Sequence, residues 1–327
     1  MRTYAILMLG SVLAAQEPRI ENAKLEQRSG AQGLLAAVEA ASAVTGWIAY
    51  SVPAVKGEHT SCCDQTCRLE GPNSGAMVAL EGSAWLVVAL RLEQKRIHKV
   101  RMFSETCTLD AGGRPFTWLT GVVPSESVAF LKQLSRDGTD RDGAIAAIAQ
   151  HATTAADAAL DEMLGAAQPD DLRRKAVFWL GEARGHHGYE SLQRLLHSDA
   201  NDGLREHAVF ALSLNNDKDA LRAIVQTAHD DRSGHVRGQA LFWLAQKAGA
   251  KMAAQEILNA IENDPDTDVK KKAVFALSQL SRDEGVPRLI EVAKTNHNRE
   301  VRKQAMFWLG RSQDSRALDF MEQVLLR

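Results

Sequence analysis

Five short phrases in the second half of the chain are near copies of one another. Each begins with alanine, carries phenylalanine two residues later and ends with leucine two residues after that. They occupy residues 176–180, 208–212, 240–244, 273–277 and 305–309, so that they recur at a nearly constant interval. An interval of about 32 residues is typical of helix pairs that stack into a solenoid, since one pair cannot bury its own apolar face. The period therefore argues against a single compact enzyme core here and favours a protein that holds other molecules.

A weaker sixth copy, residues 144–148, precedes the first phrase by one more interval of the same size. Aligned on the repeated alanine, each unit carries apolar residues at helical spacing before and after a turn, so we expect a helix A and a helix B in each. The third residue before the alanine is basic in every unit. These basic residues are Arg141, Arg173, Arg205, Arg237, Lys270 and Arg302. The array of repeats is predicted to span residues 135–327.

The repeated pattern of an apolar residue, an arginine, an alanine and a leucine four residues later resembles the HEAT-repeat family. Val301, Arg302, Ala305 and Leu309 show it in the last unit. The likeness is greatest to the short bacterial form of the repeat that is named for phycobilisome lyases. It implies a mainly α fold, a right-handed α-solenoid of about six HEAT-like helix pairs. The family consists mostly of binding scaffolds, so the resemblance says more about fold than about a particular activity.

Overall charge and hydropathy exclude two classes of partner. The chain has 39 Lys and Arg against 41 Asp and Glu, a formal net charge of −2, whereas a nucleic-acid binder usually carries a basic patch or stripe. No apolar segment reaches the ~20 residues that a membrane-spanning helix needs. We therefore expect neither a nucleic-acid partner nor a membrane span.

Residues 1–15 have the composition of a secretory signal. Arg2 is followed by a short apolar run and then by Ala14 and Ala15, the small residues that precede a signal cleavage site. The alternatives are a buried N-terminal helix and a start codon assigned too early. The signal interpretation predicts an exported, periplasmic protein whose mature form lacks residues 1–15.

All four cysteines lie in the first half of the chain, at Cys62, Cys63, Cys67 and Cys107. An even, clustered set in an exported protein predicts disulfides. A bond between the two adjacent cysteines would be strained, which leaves two pairings open. Either Cys62 pairs with Cys67 and Cys63 with Cys107, or Cys63 pairs with Cys67 and Cys62 with Cys107. A zinc site and free thiols remain as alternatives.

Residues 16–134 show no repeat and predict a small α+β domain that precedes the solenoid. Four runs rich in aromatic and β-branched residues, 46–52, 84–90, 97–103 and 116–122, have strand character. The short spacing between the later runs favours antiparallel pairing. In the third run Ile97 falls on the face opposite to Val100 and Met102, which leaves its register open. Helices are expected within 27–43 and over 125–134, the second capped by Ser125.

The basic residue near the start of each helix A has two interpretations. The first is a ladder of ion pairs with acidic residues of neighbouring turns, for which the candidates are Asp171, Asp202, Asp268 and Glu300. The second is a row that binds anions, which the slightly acidic composition does not favour. We therefore expect a structural ladder.

The residue three positions after the repeated alanine alternates strictly between small and large. The series is Ala147, Trp179, Ala211, Trp243, Ala276 and Trp308. This slot lies on the same helical face as the alanine, so large and small side chains are expected to interlock in the core. The alternation also indicates that a pair of repeats was the unit of duplication.

The repeated phenylalanines lie on a different side of helix A. At ~100° per residue each is about 160° from its alanine, on the side that also carries charged residues. They are Phe178, Phe210, Phe242, Phe275 and Phe307. In register they would form an aromatic row that serves as a docking surface for another protein. The alternative is that neighbouring A helices close over the rings.

Some HEAT-like proteins are enzymes, and their signatures are weak here. Deoxyhypusine hydroxylase holds two irons through His-Glu pairs in several repeats, whereas only Glu206-His207 has those residue types in this chain, in reverse order. Bilin lyases have no portable signature, and an exported protein would not meet their substrates. The alternative function is an enzyme of the HEAT-like lyase or oxidoreductase type. Its site would lie in the N-terminal domain or at its junction with the repeats, with His59, His98 or Glu105.

These patterns together predict an exported, non-catalytic scaffold for protein–protein interaction. The predicted domains are a signal peptide (1–15), a cysteine-containing α+β domain (16–134) and a HEAT solenoid (135–327). The predicted partner is another protein held by the phenylalanine row. No cofactor, metal or catalytic residue is predicted.

Overall fold

The structure is a computed structural model that describes residues 18–41, 45–61, 66–71, 78–81, 84–137 and 140–326. The chain divides into two compact units, with the boundary between Ala159 and Leu160. The predicted signal segment lies outside the described residues. Of the helices that the structure describes, none is long and apolar enough to cross a membrane.

The first unit is built on a five-stranded mixed sheet. Its strands, in spatial order, are β2 (Lys24–Ser29), β10 (Pro115–Thr120), β3 (Gly46–Pro53), β7 (Trp85–Glu93) and β8 (Arg96–Ser104). β10 runs parallel to both β2 and β3, whereas β3, β7 and β8 are antiparallel in succession. A second sheet has the order β1 (Arg19–Glu21), β9 (Thr108–Asp110), β5 (Cys67–Arg68), and a short pair joins β4 (Glu58–Ser61) to β6 (Val78–Glu81).

One face of the main sheet shares a core with the small β1-β9-β5 sheet. Trp47, Phe116 and Trp118 contribute large side chains from the main sheet, and Leu109 contributes from β9. Cys67 and Cys107 lie in the same core, and the structure has both of them disulfide-bonded. Cys62 and Cys63 lie outside the described residues, so the connectivity stays a prediction.

The helices of the first unit cover the other face of the sheet. They are α1 (Leu34–Ala41), α2 (Pro124–Asp137) and α3 (Arg141–Gln150), and the boundary between the units falls inside α4 (Thr154–Met163). A buried polar chain joins them to β3, because the hydroxyls of Tyr50 and Ser127 are 2.8 Å apart and His151 Nε2 is 2.8 Å from Ser127 Oγ. All three residues are fully buried, and burial raises the pKa of Tyr50. These three hydrogen-bonded side chains therefore fix α2 and α3 on the sheet, and their burial closes them to a substrate.

The helix expected within 27–43 is confirmed as α1, and residues 27–29 before it belong to β2 and pair with β10. Two other sequence expectations for this unit need correction. The run 116–122 forms β10, which pairs parallel to its neighbours and not antiparallel as expected. The chain leaves the main sheet after β8 to form β9 and then re-enters it in the same direction as β3. The predicted capping role of Ser125 is also wrong, since α2 begins at Pro124, a residue favoured at the first helical position. Antiparallel pairing of β7 with β8 is confirmed, and a bulge at Arg91 accounts for the irregular pattern around Ile97.

The second unit consists of five helix pairs in the expected order, and the weaker sixth copy of the sequence pattern, residues 144–148, lies in α3 of the first unit. The A helices are α5 (Asp170–Ala183), α7 (Asp202–Leu214), α9 (Gly234–Lys247), α11 (Thr267–Ser278) and α13 (Arg299–Arg311). The B helices are α6 (Gly185–Ser198), α8 (Ala220–Asp230), α10 (Ala250–Asn263), α12 (Arg282–Thr295) and α14 (Ser315–Leu325). Each A helix packs on the next A helix along the array.

The repeated alanine sets how closely the A helices approach. All five of these alanines are fully buried, because they face the neighbouring helices. Gly181 makes the contact between α5 and α7 closer still, since a Cβ atom there would lie 2.2 Å from the carbonyl oxygen of Ala211. Such a separation is far below van der Waals contact, so only glycine fits at this position.

The basic residue of helix A forms the expected ladder, but with other partners. Arg205 is fully buried, and its Nε lies 2.8 Å from a carboxylate oxygen of Asp231, the residue that ends helix B of the same repeat. Arg237 bonds Asp264 at 2.8 Å in the same way, and Arg173 bonds Asp199. Of the acids expected from the sequence, Asp202 is only a secondary, more exposed partner of Arg205.

The aspartate at the end of helix B has a second role in the loop that follows. Asp231 Oδ1 accepts the amide of Ser233, and Asp264 and Asn296 accept from the residue two positions later in the same manner. In the fourth repeat of the second unit, Lys270 and Asn296 occupy the two slots and form no ion pair with each other. Lys270 Nζ donates to the backbone carbonyl of Glu262, and Asn296 Nδ2 donates to the Glu262 side chain. In the first four repeats of this unit the slot therefore carries a side-chain oxygen, which is negatively charged where arginine faces it.

Replacing the buried acid should cost much more stability than replacing the exposed one on the same arginine. Asp231→Asn keeps the loop acceptor but leaves the buried Arg205 guanidinium without its charge partner, so we expect a loss of about 3 kcal/mol. Asp202→Asn removes a half-exposed partner and should cost about 0–1 kcal/mol. Urea unfolding followed by circular dichroism measures both. Equal losses from the two variants would contradict the ladder as described.

The cysteines can be tested by thiol titration. Protein purified without reductant and then unfolded should show no reactive thiol, and reduction should release four, because the chain has four cysteines. Peptide mapping of the unreduced protein then distinguishes the two predicted pairings. Four reactive thiols before reduction would contradict the disulfide prediction.

Candidate functional site

The phenylalanine row is part of a larger aromatic surface, which we call the ribbon. It consists of eight rings on the five A helices of the second unit, each in contact with the next. In contact order they are Trp179, Phe178, Phe210, Trp243, Phe242, Phe275, Trp308 and Phe307. The ribbon therefore crosses every repeat of the second unit without a break.

The contacts along the ribbon follow a pattern that recurs after every two helix pairs. Within an A helix that carries tryptophan, its phenylalanine meets it edge-on at 5.1 Å between centroids. Between helices, Phe178 stacks on Phe210 at 6.3 Å and Phe242 stacks on Phe275 at 5.9 Å. Trp243 leans on Phe210, and Trp308 leans on Phe275, both at 4.9 Å. Edge-on and offset stacked pairs are the favoured geometries of aromatic rings.

The rings are neither buried nor fully exposed. Seven of them are half-buried, and Phe307 at the end of the ribbon is 53% exposed. The rings therefore pack on their neighbours and stay partly exposed, and docking of another protein on them stays a prediction.

The tryptophans do not lie in the core as the sequence predicted. Trp179, Trp243 and Trp308 are half-buried, whereas the alanines of the same slot, Ala211 and Ala276, are fully buried. The slot lies at the border of the buried face, so a methyl group stays beneath the surface and an indole extends over the neighbouring helix. Large and small residues do alternate, but the large ones enlarge the ribbon.

A hydrogen-bonded chain of polar side chains crosses three A helices beside the ribbon. His235 Nε2 lies 3.0 Å from a carboxylate oxygen of Glu206, and Lys272 Nζ lies 2.7 Å from His235 Nδ1. The lysine can only donate, so Nδ1 accepts and the ring proton is on Nε2, facing the carboxylate. Gly238 makes room for this arrangement, since a Cβ atom there would lie 2.3 Å from the Lys272 side chain.

Of the ionisable residues that the sequence singled out for chemistry, the structure describes the side chains of His98 and Glu105. His98 is exposed on β8, and Glu105 accepts the backbone amide of Trp85 at 2.9 Å. The side chain of His59 lies outside the described residues. Among the described residues no group of three His, Cys, Asp or Glu side chains could hold a metal ion.

Two histidines of the second unit give stability opposite dependences on pH. Burial lowers the pKa of His207, which lies 5.8 Å from the Phe210 ring, below its ordinary value of 6.5. A hydrogen bond with Asp217 raises the pKa of His186 above 6.5. The contribution of His207 to the free energy of unfolding is therefore complete above pH 6.5 and is lost on acidification. The contribution of His186 is complete below pH 6.5 and is lost as the pH rises.

Substitution of each histidine by glutamine tests these signs. His207→Gln should flatten the fall in stability that accompanies acidification below pH 6.5, because burial disfavours the charged imidazole. His186→Gln should cost more stability at acidic than at alkaline pH, because the bond to Asp217 favours the charged imidazole. Unfolding in urea at each pH gives both results. A shift in the same direction for both variants would contradict the assignment.

Comparison with known proteins assigns the repeats to a class. A family model described as HEAT repeats matches residues 254–327. No curated protein matches the chain. Residues 254–327 thus match HEAT repeats, and the predicted fold class, a helical-repeat array preceded by a small α+β unit, is confirmed.

Two solved structures are similar to this chain at low identity. Human deoxyhypusine hydroxylase in complex with glycerol is 19% identical, over 52% of this chain and 67% of its own, with a TM-score of 0.34. The CpcE–CpcF complex of phycocyanin lyase from Nostoc sp. PCC7120 includes a chain that is 21% identical, over 48% of this chain and 99% of its own, with a TM-score of 0.37.

Proposed function

We propose that this protein is an exported, non-catalytic scaffold that binds another protein along the aromatic ribbon. The observation that carries the proposal is the unbroken series of eight rings, each with an edge open to solvent. Monomeric proteins rarely expose contiguous apolar surface of this kind unless something docks there. Aromatic side chains are also the residues most enriched at the centres of protein interfaces.

The position of the ribbon on rigid elements supports a binding role. Its rings extend from packed helices, held by buried alanines below and by each other at the sides. A surface ordered in advance loses little conformational entropy on association, which favours affinity. Export is supported by the composition of residues 1–15 and by the disulfide-bonded Cys67 and Cys107.

Site-specific photocrosslinking in the producing cells tests the docking surface. A photoreactive phenylalanine is placed at Gln246 or Gln279, exposed positions four residues beyond Phe242 and Phe275, and at Arg222 on α8 as the control. A defined crosslinked partner should form from the two ribbon positions and not from Arg222, because only the ribbon side is covered in the complex. Crosslinks of equal yield from all three positions would contradict the proposal.

A matched pair of substitutions then measures the contribution of the ribbon to affinity. Phe307 is 53% exposed, and Leu318 on α14 is 60% exposed, so serine at either position should leave the fold intact. Phe307→Ser should weaken binding of the captured partner by about 2 kcal/mol, as expected for an aromatic anchor. Leu318→Ser should leave binding unchanged. The enzymatic alternative would gain support from stoichiometric iron or zinc in the purified protein.

A further inference from the structure

The C-terminal part of the ribbon borders a groove between α9, α11 and α13. The groove has a volume of about 680 Å³, and Phe275, Trp308, His235, Lys271, Lys272 and Gln304 contribute to its lining. This volume falls within the range of sites that hold a small ligand or a few residues of a peptide. Two ribbon rings supply its apolar side, and side chains from three A helices supply its polar side.

The charges of this groove are unevenly paired. Asp268 is paired with Lys271 at 2.8 Å, and Glu206 is paired with His235 at 3.0 Å. Asp266 caps α11 by accepting the backbone amide of Asp268 at 2.7 Å. Asp268 and Glu206 are therefore paired with basic side chains, whereas the Asp266 carboxylate is bonded to a backbone amide.

One lysine of the groove forms no salt bridge among the described residues. Lys272 Nζ bonds His235 Nδ1, and the Asp268 carboxylate, one helical turn earlier, acts on it only at longer range. Lys272 is therefore available to an anionic group that lies on the aromatic surface, where partial desolvation strengthens the attraction. The rings of Phe275 and Trp308 beside this lysine match a polypeptide segment that is both aromatic and acidic.

We infer that this groove binds an acidic segment of the partner protein, one in which carboxylates flank an aromatic or large apolar side chain. The inference rests on the proposed scaffold function and adds the chemistry of the partner. The apolar side chain lies on Phe275 and Trp308, while a carboxylate pairs with Lys272.

Synthetic peptides test the inference directly with the full-length protein. The probe is a fluorescein-labelled decapeptide with one tryptophan flanked by aspartate and glutamate, and its control has asparagine and glutamine at those positions. Fluorescence anisotropy should show the acidic peptide binding about tenfold more tightly than its amide control, with a preference that decreases as salt is added. Equal affinities for the two peptides, or binding of neither, would overturn the inference.

Two neighbouring lysines provide the matched variants. Lys272→Met should remove most of the preference for the acidic peptide, because it deletes the unpaired cation and keeps the stem. Lys271→Met should change the affinity by about twofold or less, because that lysine is already paired with Asp268. An undiminished preference in Lys272→Met would also overturn the inference. Crosslinks at Gln246 and Gln279 would in either case still support the scaffold, so the two proposals fail separately.

Discussion

The close approach of successive A helices is the constraint on which the rest of the second unit depends. It is made possible by an alanine at the same position of every A helix, and by Gly181 where α5 meets α7. Because the helix backbones lie so close, side chains two and three residues further along meet their counterparts on the next helix. The ribbon is a consequence of that spacing, since larger side chains at the alanine slot would separate the rings.

The buried ion pairs keep each repeat in register with its own loop. Arg205 and Arg237 connect the start of helix A to the residue that ends helix B, and that residue also caps the loop into the next repeat. A buried guanidinium is tolerated only when paired and hydrogen-bonded, so the pairs specify the arrangement more than they add net stability. Packing fixes the distance between A helices, and the pairs fix the angle at which each helix B returns. A surface held from both sides in this way is suited to presenting a rigid row of rings.

The sequence predicted some elements well and others poorly, for identifiable reasons. The helix pairs could be read directly, because the nearly constant period repeats the same local pattern several times. The acids Asp199, Asp231 and Asp264 were missed, although they recur with that period and follow their arginines at an almost fixed separation along the chain. In the first unit, the direction of β10 was missed, because it depends on where the chain re-enters the sheet and not on local composition.

By itself the sequence determined the class of fold, the number of repeats and the register of the phenylalanine row, because each depends on spacing along one chain. Only the tertiary structure decided that tryptophans join those phenylalanines and that Lys272 lies against His235. It also decided that seven of the eight rings are half-buried. The physical reason is that the exposure of a side chain at the border of a helix face depends on how near the adjacent helix lies. That distance is a property of packing between repeats, which periodicity within one chain does not contain.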